Sequence, residues 1–393
     1  MNNASGSRRG GLDLPAPDAA ALAHSERLAQ AIGERTQAAG GAIGFDEFMR
    51  MALYQPGLGY YTGPAVEFGE AGDFVTAPEI SPLFGQCLAR QVEDLVARGC
   101  RPRLLEFGAG SGELCAQILG ELPDVERYLI LDLGAGLKQR QREFLETRLP
   151  AGLFAKIEWL SALPPDFEGV VLANEVLDAM PVKRVVKRDR WRELGVELSD
   201  RGFGWREIPA RDPAAAAMRA IEARLGDLPE GYASELNLNL DPWFGALAEC
   251  CKAAVVLIID YGYERDQYYH PERRDGTLSC HYRHRVHFDP LILPGLQDIT
   301  AFVDFDAAAD AAEAAGFEIR GLVSQGRFLL ANGLLELVKR EAADGGEIQR
   351  LALSQQVKTL TLPEEMGEKF KVLALSRNLA AEMPSMRREG ARG

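Results

Sequence analysis

Residues 103–114 read RLLEFGAGSGEL, and this stretch decides the fold. An apolar run of five residues leads into Gly108, Gly110 and Gly112, and a helical apolar pattern begins at Leu114. Glycine allows the chain to turn tightly and lets the backbone approach a ligand closely. A strand, a glycine turn and a helix N-terminus in succession therefore predict a βαβ unit that holds an anionic or adenosine-bearing ligand.

Six further apolar runs downstream predict strands, and helical patterns separate most of them. These runs are 128–132, a short run near 157, 169–173, 253–260, 317–323 and 369–375. Strands that alternate with helices form a mostly parallel sheet with helices on both faces. The sequence therefore predicts a doubly wound α/β fold with a seven-stranded sheet.

The remaining segments are predicted to be additions to this core, which spans residues 103–393. Residues 182–252 interrupt the alternation with a strand-like run, a hairpin signal and an alanine-rich helix, so we expect an insertion between strands four and five. Residues 21–102 are predicted to form an N-terminal helical cover with a cofactor-covering loop. Residues 1–20 are rich in glycine, serine, proline and alanine, and are predicted to be a disordered tail.

The third glycine separates two classes of nucleotide-cofactor site. A dinucleotide fingerprint needs GxGxxG, but Glu113 occupies the position of its last glycine. The pattern is instead ExGxGxG, beginning at Glu106, and it resembles motif I of class I S-adenosylmethionine-dependent methyltransferases. Asp132 ends the next predicted strand, where a carboxylate can accept hydrogen bonds from both ribose hydroxyls. A nicotinamide enzyme shares that acid, and a structural glycine turn beside a surface aspartate stays an alternative.

Polar residues also follow the fourth predicted strand. Asn174 and Glu175 come directly after it, and Asp178 comes three residues later. In open α/β sheets ligands bind beyond the carboxyl ends of the strands, so these side chains are candidates to hold a methyl acceptor. A helix N-cap is the structural alternative, because Asn and Asp cap helices well.

Longer strings extend the resemblance from about residue 40 to the end of the chain. They are GDFVTAPEIS (72–81), EFGAGSG (106–112), NEVLDAMP (174–181), DYGY (260–263), GTL (276–278), DIT (298–300), VDF (303–305) and QGRFL (325–329). On these strings the chain resembles the class I methyltransferase family that includes the mitochondrial complex I assembly protein arginine methyltransferase and its bacterial relatives.

The resemblance implies a methyltransferase that uses S-adenosyl-L-methionine, releases S-adenosyl-L-homocysteine and methylates an arginine guanidinium of a partner protein. The implied catalytic residues are Asn174, Glu175 and Asp178, because carboxylates pair with the planar guanidinium and polarise one nitrogen. The implied cofactor-binding residues are Glu106, Gly108, Ala109, Gly110, Gly112, Asp132, Leu133, Thr76 and Glu79. Gly134 and Ala135 replace the Ser-Pro pair common in relatives, which leaves the contacts just after Asp132 open.

Three more residues are predicted to line the acceptor pocket, namely Tyr261, His287 and Asp298. Core packing is the alternative for Tyr261, and helix capping is the alternative for Glu79. Asp73, in the covering loop, is expected at most to brace that loop.

Two clusters of ionisable residues have a possible function outside this site. The histidines at 270, 281, 284 and 287 lack the regular spacing of ligands on one helix face, and we predict no metal site. A basic run is either a docking site for an acidic partner or the solvated face of a hairpin. This run comprises Lys183, Arg184, Lys187, Arg188, Arg190 and Arg192.

Composition sets the remaining limits. The 393 residues are 47% hydrophobic, and 44 basic against 58 acidic residues give a net charge of -14, which argues against nucleic-acid binding. The six cysteines contain no CxxC pair and are predicted to be reduced thiols. The longest apolar run, 253–259, is too short to cross a bilayer. We expect a cytoplasmic protein without membrane insertion, and the oligomeric state is not predicted.

Three other functions stay open. A nicotinamide-dependent oxidoreductase is disfavoured by Glu113. An assembly factor would bind the cofactor or a partner with little or no catalysis. A methyltransferase for a small molecule or a nucleic acid is the third, although NEVLDAMP lacks the Asn/Asp-Pro-Pro-aromatic pattern of enzymes that methylate base amino groups.

Overall fold

The computed structural model describes residues 14–63, 75–343, 346–380 and 382–386. Its strands are β1 (Ile43–Gly44), β2 (Arg103–Phe107), β3 (Arg127–Leu131), β4 (Ile157–Leu160), β5 (Phe167–Asn174), β6 (Lys183–Lys187), β7 (Trp191–Ser199), β8 (Gly202–Pro209), β9 (Ala233–Leu236), β10 (Cys251–Tyr263), β11 (Ser279–Tyr282), β12 (Arg285–His287), β13 (Asp298–Thr300), β14 (Val303–Asp304), β15 (Glu318–Ser324) and β16 (Phe370–Arg377).

The helices alternate with many of these strands. They are α1 (Ala19–Ala38), α2 (Phe45–Tyr54), α3 (Ala77–Ile80), α4 (Pro82–Ala97), α5 (Glu113–Glu121), α6 (Ala135–Arg148), α7 (Ala151–Phe154), α8 (Asp212–Leu225), α9 (Leu240–Cys250), α10 (Arg265–Tyr268), α11 (Phe305–Ala314), α12 (Gln325–Ala331), α13 (Leu334–Ala343) and α14 (Glu347–Thr361), followed by a 3-10 turn at Pro384–Met386.

The central sheet has the order β15-β16-β10-β5-β2-β3-β4, and β14 adds to the end of β10. The pairs from β10 to β4 are parallel, whereas β16 runs antiparallel to both of its neighbours. This arrangement confirms the predicted mixed α/β fold with a mainly parallel sheet. Each parallel strand ends at the same edge, so the residues that follow β2, β3, β5 and β10 meet there.

The sheet is buried on both faces because its strands are apolar on both sides. In β5, Val170 and Leu172 belong to a core with α4, α5 and the C-terminal helices α12 to α14. The alternating residues Val171 and Ala173 belong to a second core with α9 and α11. The period-2 alternation of side chains divides one strand between two cores.

A second sheet unites two segments that are distant in the sequence. Strands β6 to β9 come from the predicted insertion, and β1 from the N-terminal region pairs with β7 through Ile43 and Val196. Leu28 and Phe48 of the N-terminal helices pack into the same apolar cluster as Val196. A two-residue strand has no periodicity, so the sequence pattern could not show that these segments join.

The basic run lies on this second sheet and is largely neutralised within the fold. Lys183 is buried and contacts Asp46 (3.1 Å) and Glu193 (3.0 Å). Lys187 pairs with Glu222, and Arg188 pairs with Glu207. Lys183 fits neither predicted alternative, because it is buried against carboxylates of the same chain. Arg188, at 37% exposed, is compatible with the solvated face of a hairpin.

Several other expectations meet the structure at the periphery. Of the predicted tail, only residues 14–20 fall within the described residues, and α1 begins at Ala19, where Asp18 caps it. The six cysteines are buried and unpaired. Across the described ranges, no helix is both long enough and apolar enough to cross a membrane.

Candidate active site

A large cavity of about 1920 Å³ lies at the carboxyl edge of the central sheet. Its wall on the sheet side comes from the residues after β2, β3, β5 and β10. Helix α3 and the end of α2 form further parts of the wall, and the sheet β12-β11-β13 contributes another side. Polar residues that are separate in the sequence therefore share one cavity.

The glycine loop after β2 forms one part of the wall. Gly108 and Gly110 have left-handed φ angles of 61° and 54°, which only glycine adopts without strain. Among the described residues, the nearest atom to a Cβ on Gly108 belongs to Val176, at 3.8 Å, so these residues leave space for a ligand beside this backbone. Gly112 instead turns the chain into α5 and packs against Leu145, outside the cavity wall. The structure therefore assigns Gly112 a packing role rather than the predicted ligand contact.

Asp132 follows β3 and lies beside the glycine loop. Its Oδ1 accepts from the N–H of Leu133 (2.8 Å), and its Oδ2 accepts from Nε2 of Gln141 (2.9 Å). Burial raises the pKa of Asp132, and the hydrogen bond from Gln141 opposes that rise. The side chain of Leu133 is 72% exposed and lines the same cavity, so it offers an apolar surface next to the carboxylate.

Glu106 lies at the bottom of this part of the cavity. Burial raises its pKa to about 8, although the hydroxyl of Tyr128 donates to its Oε2 (2.8 Å) and opposes the rise. The nearby Asp132 adds to the rise, because two negative charges in one buried region repel each other. At neutral pH Glu106 is thus mainly protonated and can donate a hydrogen bond.

Thr76, the N-cap of α3, and Glu79 within α3 also line the cavity. Oε2 of Glu79 accepts from the backbone N–H of Thr76 (3.0 Å) and from its hydroxyl (3.2 Å). Glu79 therefore caps the N-terminus of α3, as the structural alternative predicted, and it also lines the cavity. Asp73 lies outside the described residues.

The loop after β5 carries the predicted catalytic residues. Glu175 has a left-handed φ of 53°, which is uncommon outside glycine, and its N–H donates to the carbonyl of Ile259 (2.9 Å). Asp260, at the end of β10, accepts from the N–H groups of Leu177 (2.9 Å) and Asp178 (3.3 Å). The conformation of this loop is thus imposed by the neighbouring strand, and its alternative as a helix N-cap does not hold, since no helix begins there.

Acidic side chains concentrate beside this loop. Burial raises the pKa of Glu175 to about 8, and that of Asp260 to about 8. Burial also raises the pKa of Asp178 well above its usual value, with Asp260 and Asp298 as further causes. Among the described residues, no Lys or Arg forms an ion pair with Glu175 or Asp178. This part of the cavity is therefore suited to a cationic ligand.

Tyrosines of the N-terminal region lie against these acids, and they were not among the residues predicted from the sequence. The hydroxyl of Tyr61 donates to Oδ1 of Asp298 (2.8 Å), and that of Tyr54 donates to the carbonyl of Ala179 (2.8 Å). Their rings stack with centroids 5.5 Å apart. The only sequence signal was the density of aromatic residues in YQPGLGYY, at 54–61.

Two of the three residues predicted for the acceptor pocket lie in its wall. Tyr261 and Asp298 line the cavity, whereas His287 is buried outside it and accepts from the N–H of Asp289 (3.3 Å). In the β11–β12 hairpin His287 pairs with Cys280, while the next pair, His281 and Val286, faces the cavity. Successive side chains of a strand point to opposite faces, so the side chain of Val286 faces the cavity and that of the predicted residue, His287, points away from it.

The described residues contain no group of three or more His, Cys, Asp and Glu side chains arranged to hold a metal ion. His281 on β11 and His287 on β12 lie on opposite faces of the hairpin, and burial lowers the pKa of both imidazoles. The acids of the site instead face open cavity beside the glycine loop.

Comparison with known proteins identifies the chemistry of this cavity. A sequence profile of S-adenosyl-L-methionine-dependent methyltransferases, Methyltransf_28, matches residues 83–323. The chain belongs to this methyltransferase family. The match includes the glycine loop, Asp132, the loop after β5 and the hairpin that carries His281. The predicted recognition, enzyme class and cofactor are confirmed.

Relatives of known name cover most of the methyltransferase chain. The mitochondrial protein arginine methyltransferase NDUFAF7 homolog of Drosophila melanogaster is 30% identical over 85% of this chain and 82% of its own length. The human NDUFAF7 protein is 27% identical over 90% of this chain and 82% of its own length. A crystal structure of a Burkholderia thailandensis protein bound to S-adenosyl-homocysteine has a TM-score of 0.89 and 43% identity, covering 96% of this chain and 98% of the other.

The residues present fit S-adenosylmethionine. Asp132 can still accept from a ribose hydroxyl, because a carboxylate offers about four acceptor sites and Leu133, Gly134 and Gln141 each donate to it once. The open backbone at Gly108 allows close approach of the ligand. Oδ1 of Asn174 is buried without a hydrogen-bond partner in the described part of the chain, so it can accept from an ammonium or amide group. The acids beyond it suit the positive sulfonium.

Proposed function

We propose that this methyltransferase transfers a methyl group to an arginine guanidinium of a protein. The observation that carries the proposal is the acidic cluster Glu175, Asp178 and Asp298, which lines the cavity next to the glycine loop. A planar cation with several N–H donors would favour the ionised form of these acids and pair with them, whereas a neutral acceptor would leave their raised pKa values in place. The relatives named as protein arginine methyltransferases support the same acceptor class.

Glu175 and Asp178 would orient the guanidinium and receive its proton. Bound S-adenosylmethionine supplies a methyl group activated by the sulfonium; the carbon–sulfur bond breaks as a carbon–nitrogen bond forms. Because the guanidinium pKa lies above about 12, its nitrogen becomes nucleophilic only as its proton leaves. A carboxylate at Glu175 holds one N–H and takes that proton, and Asn174 donates to Oε1 of Glu175 (3.3 Å), which fixes its direction. The enzyme must therefore bind its acceptor with Glu175 ionised.

The second sheet and the N-terminal helices are the part of the chain that would select the protein acceptor. They supply Tyr54, Tyr61, Arg184 and Trp205 to the cavity. The seven-strand path from β15 to β4 would hold the methyl donor. This division follows the proposed boundaries, with residues 21–102 and the insertion at about 182–252 added to the core at 103–393. A role in respiratory complex I assembly, by resemblance to the mitochondrial relative, is part of this proposal.

Methyl transfer into a lysate tests the acceptor. The purified protein and S-adenosylmethionine with a labelled methyl group are added to lysate from cells that lack this protein, and labelled products are digested and analysed by mass spectrometry. Labelled methylarginine in a protein is expected. Label on another residue, on nucleic acid or on a small molecule would refute the arginine assignment. Tight S-adenosylhomocysteine binding without any label would favour an assembly factor with little or no catalysis.

A further inference from the structure

A buried glutamine on α6 joins two parts of the donor side of the cavity. Gln141 is 0% exposed and does not line the cavity itself. Its Nε2 donates to the carbonyl of Gly110 (3.0 Å) and to Oδ2 of Asp132 (2.9 Å), and its Oε1 accepts from the indole N–H of Trp159 (3.1 Å). One carboxamide thereby connects the glycine loop, the acid after β3 and the strand β4.

The three partners permit only one orientation of this carboxamide. The indole N–H of Trp159 can only donate, whereas the carbonyl of Gly110 and the carboxylate of Asp132 accept. If Oε1 and Nε2 were exchanged, Oε1 would face the oxygens of Gly110 and Asp132, and the Nε2 amino group would face the indole N–H of Trp159. None of these contacts could then be a hydrogen bond. The guanidinium of Arg142 lies 4.2 Å from the centre of the Trp159 ring and covers this indole. The donor side of Gln141 is thus held towards the cavity wall.

This arrangement fixes the plane of the Asp132 carboxylate. Gln141 holds one oxygen, and the N–H of Leu133 holds the other at 2.8 Å. The N–H of Gly134 also donates to this carboxylate, and the acceptor capacity that remains is held in one orientation. Without Gln141, the carboxylate could rotate, and the carbonyl of Gly110 would lose the only side-chain donor that contacts it among the described residues.

We propose that Gln141 is a positioning residue for the methyl donor. It orients Asp132 towards the ribose hydroxyls of S-adenosylmethionine and holds the glycine loop at Gly110 in the same contact. The inference rests on the donor that the family uses and not on the acceptor. If Gln141 instead only fills the space between α6 and β4, its effect on donor binding is independent of Asp132.

A double-mutant cycle separates these two roles. The affinity for S-adenosylhomocysteine is measured by calorimetry for the full chain, Gln141→Met, Asp132→Ala and the double variant. Since a hydrogen bond to a charged group is involved, Gln141→Met should weaken binding about 10- to 100-fold. The double variant should bind at least about 5-fold more tightly than the product of the single effects predicts. Gln139→Met, on the exposed side of the same helix, should leave the affinity unchanged.

Additive effects of Gln141→Met and Asp132→Ala would overturn the proposal. If Gln141→Met does not fold, Trp159→Phe carries the test, because it keeps a smaller aromatic ring under Arg142 and removes the N–H that donates to Oε1. It should weaken S-adenosylhomocysteine binding about 3- to 10-fold, and an unchanged affinity would overturn the proposal. Failure of the unaltered protein to bind S-adenosylhomocysteine would instead contradict the assignment of the donor.

Discussion

Replacing Glu175 by Gln should stabilise the protein at alkaline pH while it removes methyl transfer. The folded protein raises the pKa of Glu175 from 4.5 to about 8. Between these values the folded state holds a proton that the unfolded state releases, so the free energy of unfolding falls as pH rises through this window. A glutamine at this position would not titrate, and the left-handed backbone would be kept.

The pKa difference sets the magnitude. A shift of about 3.5 at about 1.4 kcal/mol for each unit gives an upper limit of about 5 kcal/mol above pH 8. The side chain is partly exposed to the cavity and shares its protons with Asp178 and Asp260, so about 2 kcal/mol is the better expectation. At about 2 °C per kcal/mol for a chain of this length, the melting temperature should rise about 4 °C at pH 8.5 and hardly at all at pH 5.

Thermal melting from pH 5 to pH 9 measures this difference. Glu158→Gln is the matched control for the loss of one carboxylate, because Glu158 is exposed on β4 and does not line the cavity. Methyl transfer by Glu175→Gln should fall at least about 100-fold, with S-adenosylhomocysteine affinity within about 3-fold of the unaltered protein. A melting temperature at pH 8.5 that is unchanged or lower in Glu175→Gln would refute the reasoning, as would unchanged turnover of a verified acceptor.

Three further substitutions test other parts of the site. Asp260→Ala removes the carboxylate that accepts from three backbone N–H groups, so urea unfolding should show a free energy of unfolding lower by about 3 kcal/mol. A decrease below about 1 kcal/mol would show that water replaces the carboxylate. Gly108→Ala adds a Cβ beside the cavity at a position whose φ is 61°. Calorimetry should show that S-adenosylhomocysteine binding is weakened about 10-fold or more. The control Gly120→Ala, where a Cβ on α5 would meet no described atom, should instead stabilise the protein by about 0.5–1 kcal/mol. Tyr61→Phe removes the hydroxyl that donates a hydrogen bond to Asp298. Steady-state kinetics should show kcat/KM for the methyl acceptor reduced about 10-fold, with the affinity for the methyl donor within about 2-fold. Equal losses in the two quantities would place Tyr61 on the methyl-donor side.

Local sequence patterns were sufficient for the donor half of the site. The strand at 103–107 matches β2, and the glycines after it adopt the left-handed angles that the turn requires. Asp132 follows β3 at the same edge, because parallel strands place their carboxyl ends together. Periodicity also predicted β5, and the polar residues behind it line the cavity.

The same patterns gave less about the acceptor half, because its walls come from distant segments. Tyr61 donates a hydrogen bond to Asp298, which lies 237 residues further along the chain. Strand β1 pairs with β7 of the insertion through two of its residues, Ile43 and Gly44. His287 was predicted in place of His281, since a strand of three residues is too short for its alternation to be read from the sequence. Gln141 escaped notice because a glutamine in a helix has no signal of its own.

The sequence by itself determined the parallel sheet, the glycine loop and the methyltransferase family, because these depend on residues that are close along the chain. Only the tertiary structure decided the electrostatics of the site. The raised pKa values of Glu175 and Asp260 arise from burial beside other acids, and Gln141 acquires its role from partners on three separate segments. Burial and charge depend on distances in space, and a sequence does not contain those distances until the chain has folded.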